Sequence, residues 1–336
     1  MNFAEEIRNY RSISVVGLAK NVGKTVTLNH LLRTSREASL DVGVTSIGID
    51  GEGKDLVTGT SKPEIRIYRD MLFATSETHY RMRRIQSEII GITSYHTSLG
   101  RVVTAKALSD GKAMLSGPAD TARLKDIIDR MGYQEGIKRT VLVDGALSRM
   151  SLASPTVTEA MVLATGAALS PDIRQITART ADVCMLINLP KTEYPLSCIP
   201  VSEGMWGMDH EGKFHDLGLK SALKTGVTRT NIFRYGTTFY VSGIVTDHLI
   251  KYLLARKEIE SVQLIVKDFT RIFAAPALIR IFLAKGGRIC VVYRSKLIAV
   301  TVNPYSPAGY SVDREKLVES LQEKLNVPVT YINPES

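Results

Sequence analysis

The string Gly17-Leu-Ala-Lys-Asn-Val-Gly23-Lys24-Thr25 constrains this chain more than any other. It follows a short apolar run, Ile13 to Val16, and opens a segment, Lys24 to Arg33, that places Val26 or Leu28 with Leu31 and Leu32 at helical spacing. The order is strand, glycine-bearing loop, helix. A helix N-terminus presents unpaired backbone N–H groups and a partial positive charge, so a loop of this kind is built to receive an anion. A nucleoside triphosphate asks for more: N–H groups turned inward, a lysine at the terminal phosphates and a hydroxyl on Mg2+. Gly23, Lys24 and Thr25 supply those parts in order, and Gly17, Asn21, Val22, Gly23, Lys24 and Thr25 are the candidate nucleotide contacts. The spacing is Gly-x5-Gly-Lys-Thr, one residue longer than the usual Gly-x4-Gly-Lys-[Ser/Thr]. An ordinary strand-to-helix turn is the competing reading; the second glycine and the two flanking elements speak against it.

Two acids stand where a Mg2+-nucleotide site needs them. In Thr45-Ser-Ile-Gly-Ile-Asp50-Gly-Glu52 the aspartate follows a second apolar run, Val42 to Ile49, a position suited to metal binding or activation of water. In Val141-Leu-Val-Asp144-Gly145 it ends the β-branched run Thr140 to Val143, where a carboxylate can hold Mg2+ directly or through water. Asp-Gly also serves simply to make a turn, which is the plain alternative for each. The expected site is therefore Lys24 and Asp50 as catalytic groups, with Thr25, Asp50 and Asp144 on the metal. The expected cofactors are ATP and Mg2+. Guanine-reading proteins use an Asn/Thr-Lys-x-Asp element, and the nearest strings, Asn188-Leu-Pro-Lys191 and Val266-Lys267-Asp268, do not fit it, which favours ATP over GTP.

Strand and helix signals alternate through most of the 336 residues, which favours an open parallel sheet flanked by helices. Further strands are expected at Glu64–Tyr68, Met71–Thr75, Glu88–Thr93, Arg101–Ala105 and Ala113–Leu115. From Asp120, Leu124, Ile127, Ile128 and Met131 recur on one helical face, with Gly132 as the stop. Strands follow at 238–242, 261–266, 288–293 and 297–302, and helices near 245–256, 274–285 and 313–325. Residues 190–236, rich in Gly, Pro, Met and polar side chains and holding the single tryptophan, Trp206, read as an insertion or connection. The expected division is 1–190 as the nucleotide-binding region, 191–236 as an insertion or connection, and 237–336 as a C-terminal α/β region that could share one continuous sheet with the first.

The net charge of +9 invites a nucleic-acid reading, but the basic residues are dispersed without a tail or block. Arg81, Arg83 and Arg84 form the densest cluster, for which a solvated helix face is the simpler account. No nucleic-acid partner is expected. Cys184, Cys198 and Cys290 lack the CxxC spacing of a metal site and suggest no disulfide framework. The polar N-terminus lacks the apolar stretch of a secretion signal, and Ala160 to Ser170 is about half the roughly 20 residues of a membrane span. A cytoplasmic protein without a membrane partner is the expectation. Asp209-His210 and His215-Asp216 have the composition of a metal site but not its spacing, so solvated loop histidines are favoured. Asp247 reads as a helix N-cap beside a surface His248. Thr301 to Tyr310, dense in Pro, Gly and Tyr, frames a ligand pocket or partner surface, or forms a rigid turn.

The long loop resembles the dethiobiotin synthetase branch of the P-loop NTPases, which implies a P-loop NTPase core carrying a C-terminal α/β extension. Partitioning ATPases of the same class carry an extra lysine at the place of Ala19; Lys20 is one position off, so that lysine's trans-acting role does not carry over. The loop string 16–25, together with Thr45–Glu52, Val143–Arg149, Ala164–Ser170 and Thr301–Pro307, resembles the smaller reactivase subunit associated with lysine 5,6-aminomutase. That resemblance implies a cytoplasmic bacterial protein acting with a larger MutS-like ATPase subunit to restore an aminomutase that has lost intact adenosylcobalamin. The Asp-x-His-x-x-Gly signature of cobalamin binding is missing from the sequence, so the chain would act on the cobalamin enzyme without holding the cofactor in the usual way. An ATP-dependent small-molecule synthetase, or a P-loop protein that binds a partner without turnover, remains the alternative, and a homodimer is compatible with each.

Overall fold

The computed structural model describes residues 2–48, 64–134, 136–146, 156–219 and 231–333. The chain forms two compact units, Met1–Ala181 with Lys296–Ser336, and Asp182–Ser295. In chain order, β1 (Ser12–Gly17), β2 (Val42–Ser46), β3 (Ile65–Ile67), β4 (Leu72–Ser76), β5 (Ser87–Thr97), β6 (Gly100–Ala107), β7 (Gly111–Ala113), β8 (Tyr133–Gln134), β9 (Ile137–Lys138), β10 (Thr140–Ala146) and β11 (Ala160–Gly166) belong to the first. The second holds β12 (Met205–Met208), β13 (Phe214–Leu219), β14 (Thr238–Val241), β15 (Gln263–Val266) and β16 (Arg288–Val291). The chain then re-enters the first unit as β17 (Lys296–Asn303) and β18 (Val329–Tyr331).

The first unit is built on a nine-stranded sheet in the order β18-β17-β11-β1-β10-β2-β4-β6-β5. From β18 through β4 every pairing is parallel, and β6 alone runs antiparallel to its neighbours β4 and β5. This is an α/β fold with a large, mostly parallel sheet flanked by helices, consistent with a P-loop NTPase-like core. Its central strands β1 and β11 are buried along their whole length, as strands covered on both faces must be. Alternate residues serve opposite layers. Val15, Val44 and Leu142 pack with Phe3, Ile7, Leu28, Leu31 and Leu32 of helices Phe3–Asn9 and Lys24–Glu37. Val141, Val143 and Ala74 pack on the other side with Leu124, Ile127, Ile128 and Met131 of helix Thr121–Gly132. That helix begins as the sequence implies, with the Asp120 carboxylate accepting the Arg123 N–H at 2.9 Å, and Gly132 is its last residue. Each of its buried apolar side chains contributes about 1.5–3 kcal/mol.

The strand order positions the loop. β1 passes through helix Lys24–Glu37 to β2 on one side, while the chain leaving its neighbour β11 next rejoins the sheet at β17 on the other. Adjacent parallel strands whose connections diverge open a crevice at their carboxyl ends, and residues 17–25 begin there.

The second unit carries a five-stranded sheet, β13-β12-β14-β15-β16, in which β14, β15 and β16 are parallel and β12 is antiparallel to β14 and β13. Helices Asp247–Leu254 and Pro276–Ala284 follow β14 and β15. The observed division differs from 1–190, 191–236 and 237–336. Residues 205–219 are two strands of the second sheet, within a unit inserted between β11 and β17, and of the C-terminal region only 296–336 share the first sheet, as the expectation of one continuous sheet allowed. Pairing decides this: the run 297–302 finds its parallel partner in β11, and linear order alone does not say which strands become neighbours. The second strand ends at Ser46, and Ile49 to Pro63 lie outside the described residues. Among the described residues, no helix is long and apolar enough to cross a membrane.

Candidate nucleotide-binding site

The loop owes its shape to two glycines and an asparagine. β1 ends at Gly17, where a Cβ would come within 2.9 Å of Val22 Cγ2 and 3.2 Å of the Ala19 carbonyl oxygen. Val22 is buried, so the loop folds back over Gly17 and leaves no room for a side chain. Gly23 takes a left-handed conformation, φ +89°, and a Cβ there would lie 3.1 Å from Asn303 Cβ. Asn21 is also left-handed, at φ +63°, a conformation that asparagine tolerates better than most residues. The helix starts at Lys24, and the Thr27 N–H donates to the Gly23 carbonyl at 2.9 Å.

The helix start has no side-chain cap and no acid in its own first turn. By contrast, side chains cap the helices that begin after Asn2, Asp120 and Asp313. Lys24 Nζ lies 3.0 Å from Asp144 Oδ1, with the two side chains 20% and 8% exposed. The predicted phosphate lysine and one predicted metal carboxylate therefore meet. Thr25 follows on the first helical turn, partly buried. The Asp144 carbonyl accepts the Ile47 N–H at 3.0 Å, which ties β10 to the residues after β2. Gly48 is clasped in turn by Pro118 and Gly117, at 3.1 and 3.2 Å. Asp50, two residues on, lies outside the described residues, as do Gly51, Glu52 and Leu147 to Pro155.

The donor set suits Mg2+ brought in with phosphates. Asp144 Oδ1 is buried and faces the Lys24 ammonium at 3.0 Å, so its charge is compensated there by Lys24, and a metal would take the carboxylate as Lys24 turned to a phosphate. Mg2+ is typically held by one or two carboxylates plus substrate phosphates and water, rather than by an all-protein cage. Among the described residues, no three or more His, Cys, Asp or Glu side chains gather as a cage would require.

Thr27 was not among the residues expected at the site, and the segment Thr301 to Tyr310, expected to frame a pocket or partner surface or to form a rigid turn, lies beside it. Thr27 Oγ1 and Thr301 Oγ1 share a buried hydrogen bond at 2.8 Å, and the Asn303 side-chain amide donates to the Asn21 carbonyl at 2.9 Å. Asn303 Oδ1 accepts the Tyr305 N–H at 3.2 Å, and Tyr310 Oη donates to the Ala167 carbonyl at 2.7 Å. The segment from Thr301 is thus a wall of the loop as well as a turn. The signal was its strand-period pair of polar residues, Thr301 and Asn303, ending an otherwise apolar strand.

Other candidates resolve as structure. Asp209 joins His215 Nε2 at 2.5 Å and accepts the N–H groups of Glu211 and Lys213, closing the β12–β13 hairpin. The His215 hydrogen bond, reinforced by the Lys213 N–H, holds the Asp209 carboxyl down to about 2. His215 stacks on Tyr235, and His210 is exposed. Asp247 is not the cap expected: Thr246 precedes the helix, and the Asp247 carboxylate reaches across to the Ala275 N–H at 2.7 Å. Arg83 lies over the Tyr80 ring and Arg84 pairs with Glu64, so this trio is not one open basic patch. No family model, curated protein or solved structure matches this chain.

Proposed function

We propose that the first unit binds ATP with Mg2+ at residues 17–25 and that the protein uses this site as an accessory nucleotide-binding component of a larger system. One observation carries the reading: at the carboxyl edge of a parallel sheet, an acid-free helix start places Lys24 3.0 Å from the buried carboxylate of Asp144. In this reading Lys24 meets the terminal phosphates, and Gly17, Asn21, Val22 and Gly23 shape the loop whose N–H groups surround them. Thr25 and Asp144 hold the metal, and Asp50 is proposed as a further metal ligand or water-orienting group. Bound Mg2+ would neutralise phosphate charge.

The resemblance of five sequence strings supports a finer proposal, a cytoplasmic reactivase subunit that works with a MutS-like ATPase on adenosylcobalamin-dependent lysine 5,6-aminomutase. Titration of the full chain with Mg2+·ATP tests the first step: wild-type protein binds, and Lys24→Ala weakens binding at least tenfold. Equal affinity in the two proteins would remove the site. The finer step is tested by reconstitution, in which inactivated aminomutase regains activity only with this chain, its large partner, ATP and fresh coenzyme. ADP formation stimulated by a small acid without any partner would instead place the chain among the synthetases.

A further inference from the structure

We propose that Asn303 is a positioning residue of the phosphate loop, acting through the Asn21 carbonyl; this rests on the reading of residues 17–25 as a triphosphate site. The two residues are 282 positions apart in sequence, and the Asn303 amide donates to the Asn21 oxygen at 2.9 Å. A trans peptide unit points its C=O and the following N–H in opposite directions. Holding the Asn21 carbonyl against β17 therefore fixes the direction of the Val22 N–H, turning it away from Asn303. It also keeps a partial negative charge from swinging toward a polyanion.

The tether opposes a real conformational cost. Asn21 is left-handed at φ +63°, which a residue with a Cβ adopts at a penalty unless something holds it. Asn303 is itself held at both ends. Its Oδ1 accepts the Tyr305 N–H, and its backbone packs so closely on β11 that a Cβ on Gly166 would lie 2.0 Å from the Asn303 carbonyl oxygen. Two residues earlier on the same strand face, Thr301 bonds Thr27 inside the helix that the loop feeds. β17 thus grips the loop and the helix at consecutive same-face positions, which fixes one relative to the other.

The test compares wild-type full-length chain with Asn303→Ala, using Mg2+·ATP, Mg2+·GTP and inorganic tripolyphosphate as probes, alongside amide hydrogen exchange of residues 17–25 without ligand. Loss of one tethering bond should weaken all three probes by about three- to tenfold and speed exchange in the loop. Asn21→Gly, which removes the left-handed penalty, should restore part of that loss in the double variant. A loss confined to ATP or GTP, with tripolyphosphate unchanged, would mean that Asn303 touches the base and would overturn the proposal; so would unchanged affinity with unchanged exchange. Asn303→Asp keeps an acceptor for Tyr305 but has no donor for Asn21, so wild-type loop exchange in that variant would also overturn it. If wild-type protein binds none of the probes, the triphosphate reading fails and takes the phosphate-positioning role with it, while hydrogen exchange still reports whether the tether exists.

Discussion

Replacing Asp144 with asparagine should strengthen binding of metal-free ATP. The substitution is nearly isosteric and removes one charge 3.0 Å from Lys24 Nζ. At an effective dielectric constant of about 20, two unit charges at that distance attract by about 5–6 kcal/mol. Much of this is offset by the desolvation of a carboxylate that is only 8% exposed, which leaves a net coupling of about 1–3 kcal/mol. Metal-free ATP must overcome that coupling before Lys24 can meet a phosphate, and it must also approach the Asp144 charge. Mg2+·ATP faces no such opposition, because the cation satisfies Asp144 as the phosphate takes Lys24. The wild-type protein should therefore show a strong preference for Mg2+·ATP over ATP in EDTA. Asp144→Asn should narrow the gap from both sides, gaining about 5- to 150-fold in EDTA and losing affinity with Mg2+. Calorimetric titration of both proteins in the two conditions measures all four affinities. Unchanged or weaker metal-free binding in the variant would refute the argument, since Lys24 would then not be restrained by Asp144.

Gly117→Ala should destabilise the protein by about 2–3 kcal/mol or more in urea unfolding, because its Cβ would fall 2.0 Å from the Ser46 carbonyl oxygen and force the clasp on Gly48 open. The Asp209 carboxyl, held down to about 2 by His215, should titrate near that pH by carbon NMR and move up toward its ordinary value in His215→Phe. A depressed folded pKa contributes stability that is complete above the ordinary carboxylate value and lost as pH falls toward 2, so the β12–β13 hairpin should loosen only in that acidic window.

What the sequence disclosed follows from how locally each feature is encoded. The loop was legible because anion binding by a strand-to-helix turn needs only consecutive residues: Gly17 to fold back, Gly23 for a left-handed cap, Lys24 and Thr25 to follow. Helix Thr121–Gly132 was legible for the same reason, since its cap and its apolar face lie within one stretch. Asp144 could be named as the acid following a buried apolar run, although β10 continues through it to Ala146, and its contact with Lys24 depends on β10 lying beside β1, which no local pattern records. Asn303 was further out of reach, because its partner depends on β17 sitting two strands from β1 with β11 between them.

The same sheet order explains why the domain boundaries differ from those expected and why the site is unaffected by the inserted unit. A right-handed crossover between adjacent parallel strands needs a dozen or more residues, and nothing sets an upper limit on what the connection contains. The second unit occupies the connection between β11 and β17, which pair directly from Ala160↔Lys296 to Gly166↔Asn303. An insertion at that point leaves the β1, β10 and β2 pairings untouched, so the Lys24–Asp144 geometry does not depend on it. It does, however, put the re-entering strand next to β11, and that strand ends in the residue that holds Asn21. Composition reads such an insertion as a break between regions, because Gly, Pro and polar residues cluster where the chain leaves the first sheet. The physical continuity lies elsewhere, in the β11–β17 ladder, and only the register of that ladder brings Asn303 to the level of the loop.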